Sequence, residues 1–186
     1  HFSICYEFHN PEYFARYCPG KEKLLGQRTF LDAIEYTCSK MNKGAVSGEI
    51  IAGVEPIEDT LRGIDYITSR GAFPTVCVFR PTIGADMERV PPPRYEDMRP
   101  VMKYMFEACM RNNIPIGMAP NIEVSLIVNP DDAAYLADRT FSYHWYRAKL
   151  AAMRLGAKAY FAPQLRPHRV KGDPSNPGAY RPREAA

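Results

Sequence analysis

Two apolar periods take turns along this chain. Aromatic and β-branched runs at residues 2–8, 45–52 and 75–79 read as strands. Between them the apolar positions fall three and four apart, as they do on one face of a helix. Phe30, Ile34, Cys38 and Met41 mark a helix over about 22–41. Ile57, Leu61, Ile64 and Ile67 mark one over 57–70, with Gly71 as its C-cap. Met98, Val101, Met105 and Cys109 turn inward on a third, over 95–112. Asn10-Pro11 and Pro19-Gly20 are turn signals. Short extended pieces at 115–118 and 123–128, broken by Pro120, stand for a fourth strand. A last helix starts at Asn129-Pro130-Asp131 and runs to about Leu155, with a break near Thr140. After Gly156, apolar Ala159-Tyr160-Phe161 gives way to a Pro-, Gly- and Arg-rich tail without periodicity.

The order β-α-β-α-β-α-β-α predicts an α/β fold with parallel strands and right-handed crossovers. Four such units make half of a (β/α)8 TIM-type barrel, here residues 1–156, followed by an irregular basic tail at 157–186. An open half barrel leaves unpaired edges, so another segment is expected to complete it.

Composition narrows the partners. A formal net charge of +3 over 186 residues is too small to argue for nucleic acid. No apolar run is long enough to span a bilayer and no signal peptide is visible, so a cytoplasmic, membrane-free protein is expected. The five cysteines (Cys5, Cys18, Cys38, Cys77 and Cys109) have no CxxC spacing. That spacing argues for a reducing compartment and against a self-contained zinc or iron–sulfur site; no metal ligands are expected here, and the four histidines are too dispersed for zinc.

Candidate chemistry gathers at strand ends, where α/β folds bind ligands. The second strand delivers Ile51-Ala52-Gly53-Val54-Glu55 into a helix: the glycine admits close backbone approach, and Glu55 puts a carboxylate at the tip. Glu7 and His9 end the first strand and Arg80 the third. The loop 80–93, with Pro91-Pro92-Pro93, is of the length that is usually functional.

Four segments in order resemble the C-terminal half of a radical S-adenosylmethionine enzyme of the biotin synthase/HydE/methylornithine synthase branch. They are Tyr6-Glu7-Phe8-His9-Asn10-Pro11-Glu12-Tyr13, Gln27-Arg28-Thr29-Phe30, Ile51 through Thr60, and Val78 through Met87. The resemblance covers roughly residues 1–128. It implies S-adenosylmethionine as cofactor, with the ammonium on Glu7, the carboxylate on Arg28, and the adenine against Ile51, Ala52, Gly53, Val54 and Glu55. Arg80, Asn121 and Glu123 would then contact a small-molecule substrate, while Met118 reads as core. The implied reaction generates a 5′-deoxyadenosyl radical for hydrogen abstraction. The family's Cys-x3-Cys-x2-Cys loop is absent, so the [4Fe–4S] cluster is expected on a missing N-terminal half or a partner chain, fed by an electron donor, and this chain alone is expected to be inactive. The alternative is a cluster-free binding or scaffold subunit, with the arginine-rich tail and the aromatic helix around His144 and Trp145 as interface. A lyase or aldolase half barrel would need a lysine at a strand end, and none stands there.

Overall fold

In the computed structural model, which describes residues 2–118 and 127–162, a four-stranded sheet runs in the order β1 (Phe2–Glu7), β2 (Val46–Ala52), β3 (Phe73–Val78), β4 (Ile127–Val128). The first three strands are parallel. Each new strand is added on the same side of the last, so right-handed crossovers put their helices on one face of the sheet. That is the one-directional winding expected of a barrel segment, but the sheet is open. The fourth strand departs from expectation: two residues long, it pairs antiparallel to β3, Val76 with Val128 and Cys77 with Ile127. The sheet is therefore mixed rather than wholly parallel.

Seven helices are present among the described residues. Asn10 opens α1 (Pro11–Tyr17) instead of only a turn, its side-chain oxygen accepting from the N–H groups of Glu12 and Tyr13. The helix expected over 22–41 is two, α2 (Pro19–Leu24) and α3 (Gln27–Lys40), because Gly26 takes φ 74° between them. Then come α4 (Ile57–Ser69), α5 (Tyr95–Arg111), a 3-10 helix (Pro130–Leu136) and α6 (Phe141–Phe161). The break expected near Thr140 is real, and the Thr140 side chain caps α6. That helix continues past Leu155 and through Gly156, so Ala159-Tyr160-Phe161 is helical and not irregular.

The core lies between sheet and helices. Tyr6, Ile50, Ala52 and Val76 meet Ile34, Ile64, Ile67, Val101, Met105 and Phe106, all fully buried. Gly48 allows this: a Cβ there would stand 2.8 Å from the Ile67 side chain, so its missing side chain lets α4 lie on β2. Phe106 carries the core outward to α6, its ring 5.8 Å from those of Tyr143 and Tyr146.

Candidate functional site

The first strand ends in a kink. Cys5 pairs with Glu49 but Glu7 with Ile50, so Tyr6 is an extra residue and Glu7 takes φ 65°. A non-glycine residue held there costs on the order of 1–3 kcal/mol, and such residues cluster where a side chain must be aimed. What holds it is plain. Tyr6 is fully buried, and Lys21 ion-pairs with the Glu7 carboxylate while donating to the Cys5 carbonyl at 2.9 Å.

Strand alternation then sorts the side chains. Val46, Gly48, Ile50 and Ala52 face the helices, with Val76 and Val78 beside them in register. The opposite face carries Ser47, Glu49 and Ile51 on β2, Thr75 and Cys77 on β3, and Cys5 next to Glu49 on β1. Polar residues at most positions of a parallel strand's second face depart from the usual apolar lining. The Cys5 thiol is pushed up by burial and then by Glu49 and Glu7. Cys77 is pushed up by burial and Glu49, with Arg80 opposing and Glu7 adding. Two carboxylates, Glu7 and Glu49, and two cations, Lys21 and Arg80, thus act on one patch at the strand ends. Thr75 Oγ1 is buried there with no hydrogen-bond partner among the described residues.

Glu55 does other work. Buried at 4% exposure, it accepts from the Asn10 N–H at 2.9 Å and the Thr60 hydroxyl at 3.2 Å. Asn10 reaches on to Asp59 at 2.9 Å, and Asp59 ion-pairs with Arg62. This staple ties the loop after β1 to the start of α4. Burial raises the Glu55 carboxyl above its usual range, against the pull of these hydrogen bonds. A raised folded-state pKa favours folding fully below the unfolded value, about 4.3, and that contribution is lost as pH rises through the folded one. Glu55→Gln keeps the shape and stays neutral. Urea unfolding of both proteins from pH 4 to 8 should therefore show the variant gaining on wild type as pH rises. A difference that does not change with pH would mean that Glu55 is not held as argued.

The other sequence candidates scatter. Arg28 does not meet Glu7: it is exposed and ion-pairs with Asp32 at 2.6 Å, with Glu35 at 3.9 Å. Lys21 is the cation beside Glu7. Ile51, Gly53 and Val54 are half-buried at the β2 tip, Ala52 is fully buried, and Arg80 is exposed. Gly53, at φ 95°, is closed over by the loop after β3, since a Cβ there would stand 2.4 Å from Pro93. His9 is half-buried between Tyr6 and Tyr66, and burial lowers its pKa. Asn121 and Glu123 lie outside the described residues. Met118 is partly buried against the core. Lys21, Glu49 and Thr75 do not stand out as site residues in the sequence, and Cys77 stands out only as one of the scattered thiols, although a glutamate inside the apolar run of β2 is a legible signal. On the helix side of β3, a separate cavity of about 340 Å³ is lined by Val78, Met98, Met102, Val128 and Leu136, with Arg99 among its polar residues.

The thiols do not fit an iron–sulfur cluster. They are spread over β1, the α1–α2 junction, α3, β3 and α5, and burial raises the pKa of each one, which disfavours the thiolate an iron needs. No group of three His, Cys, Asp or Glu side chains able to hold a metal ion occurs among the described residues. None of the described helices is long and apolar enough to cross a membrane.

Comparison with known proteins adds a partial match. Over 88 residues the chain is 35% identical to a bacteriochlorophyllide c C-7(1)-hydroxylase of Chlorobaculum limnaeum, and the aligned stretch spans 47% of this chain but 22% of that protein. No family model matches, and no solved structure matches.

Proposed function

We propose that these residues form part of a radical S-adenosylmethionine enzyme that abstracts hydrogen from a small substrate, with the [4Fe–4S] cluster held outside this chain. The observation that carries it is Glu7, a strained carboxylate aimed from a bulge at a strand tip and paired with Lys21, on the patch around Cys77 that Glu49 and Arg80 also act on. Charges of both signs on one patch suit a zwitterion: Glu7 or Glu49 would accept from an ammonium, and Lys21 or Arg80 would pair with a carboxylate. Arg28 would need to leave Asp32 to take part. Ile51 to Val54 remain the backbone for an adenine, and Arg80, Asn121 and Glu123 the substrate contacts.

The partial relative supports this chemistry. A hydroxylase replaces C–H by C–OH, so a C–H bond must break, which is what a 5′-deoxyadenosyl radical does when the cofactor is present. Because that relative is a hydroxylase, the resemblance is carried forward as radical chemistry and not as the biotin synthase branch. This chain's own residues would bind, orient and shield; they supply no cluster ligands. The scattered thiols equally suit the second reading, a cluster-free subunit supporting a partner.

The test uses the natural gene product, purified without oxygen, reconstituted with iron and sulfide, and reduced in the presence of S-adenosylmethionine. The expected result is 5′-deoxyadenosine, seen by chromatography. Glu7→Gln should raise the KM for S-adenosylmethionine by about 10- to 100-fold, the value of one hydrogen bond to a charged group. A product that takes up no cluster and forms no deoxyadenosine, alone or with its co-purifying partners, would overturn the proposal.

A further inference from the structure

Helix α6 is apolar on two opposite faces, and only one is covered. Tyr146 and Leu150 are buried on the inner face, the Tyr146 hydroxyl donating to the Ile114 carbonyl. On the outer face Phe141, Trp145, Ala148, Ala152, Leu155 and Ala159 recur at alternating steps of four and three. At 100° per residue they fall within a sector of roughly 80°. All six are exposed, Phe141 at 85%, Trp145 at 68% and Leu155 at 73%. This heptad seam is as long as the helix, and nothing among the described residues covers it.

Charge says what kind of segment covers it. From Phe141 to Phe161 the helix has Arg147, Lys149, Arg154 and Lys158 and no acidic residue. Asp131 takes Arg147 at 2.6 Å and Arg154 at 2.8 Å on the covered side. Lys149 borders one edge of the seam and Lys158 the other; among the described residues Lys149 meets only the neutral Asn113 side chain, at 2.7 Å. A second copy would bring lysines against lysines. Residues 163–186 repeat the positive charge, with five arginines and lysines to two acidic residues. The centre of the seam also rules on a lipid surface. Ala148 and Ala152 leave a shallow groove between Trp145 and Leu155, which admits a close helix, whereas an interfacial helix presents a wide sector of large side chains.

We infer that the outer face of α6 docks an acidic amphipathic helix of a partner, its apolar residues seated between Trp145 and Leu155 and its carboxylates against Lys149 and Lys158. Trp145, the one tryptophan of the chain, reports directly. The probe is a three-heptad peptide with leucine at a and d and glutamate at e and g; its control has lysine at e and g. The glutamate peptide should shift Trp145 emission to shorter wavelength and bind about tenfold tighter than the lysine peptide at low salt, the factor two exposed ion pairs supply. Leu155→Asp should abolish the shift with the circular dichroism unchanged, and the double variant Lys149→Glu, Lys158→Glu should reverse the preference. Equal binding of both peptides, or no shift with either, would overturn the inference. So would a dimer in sedimentation equilibrium that Leu155→Asp dissolves, or a shift produced by anionic vesicles and not by the peptide.

Discussion

Phe106→Ala is expected to lower the free energy of unfolding by about 3–5 kcal/mol, measured by urea denaturation followed by circular dichroism. The side chain is fully buried, and it sits where three layers meet. On one side lies the core under the sheet; on the other, 5.8 Å away, the rings of Tyr143 and Tyr146 hold α6. Alanine leaves a void between helices that are each anchored elsewhere, so collapse can fill little of it. Domains of this kind have about 5–15 kcal/mol in all, and the loss is a fifth of that or more. Because Phe106 links the core to α6 through both of these rings, amide exchange in Phe141–Phe161 should accelerate more than in β2. A loss under about 1 kcal/mol, or equal acceleration in both, would mean that α6 is docked by something other than this ring.

Much of this architecture was legible because its pattern is local. The apolar spacing of Ile57, Leu61, Ile64 and Ile67 and of Met98, Val101, Met105 and Cys109 gave α4 and α5 with their inner faces. What escaped depends on geometry that spacing does not encode. Nothing in the apolar spacing of Phe30, Ile34, Cys38 and Met41 marks the α2–α3 break, where Gly26 takes a positive φ between the helices. Asn10-Pro11 serves a turn and a helix cap equally well, and the Asn10 side chain makes it a cap. The orientation of β4 is silent in a run of alternating residues, which reads the same in either direction.

At the candidate site the strand-tip positions were visible, and their partners were not. Lys21 and Arg28 stand seven residues apart on successive helices, and nothing in the sequence says which one reaches Glu7. In the sequence Glu55 stands as a strand-tip carboxylate. Its hydrogen-bond partner, the Asn10 N–H, lies 45 residues away and becomes visible only once the two loops meet.

Gly53, another strand-tip position, yields the second large effect. Gly53→Val is expected to cost about 2–5 kcal/mol in the same denaturation experiment, from two sources. At φ 95° a side chain is strained by roughly 1–2 kcal/mol, and overpacking against Pro93, whose Cγ would stand 2.4 Å from the new Cβ, adds about 1–3 kcal/mol. The sources separate in a cycle with Pro93→Ala: the collision should appear as a coupling of about 0.5–3 kcal/mol, and the backbone strain should remain. Additive costs would mean that Pro93 does not close over the turn. The result bears on function. Close approach at Gly53 is already used by the chain's own loop, which shuts the side of the β2 tip that a Cβ would point toward. An adenine that uses the backbone of Ile51 to Val54 must then come from the other side, the face of the sheet that carries Glu49, Thr75 and Cys77.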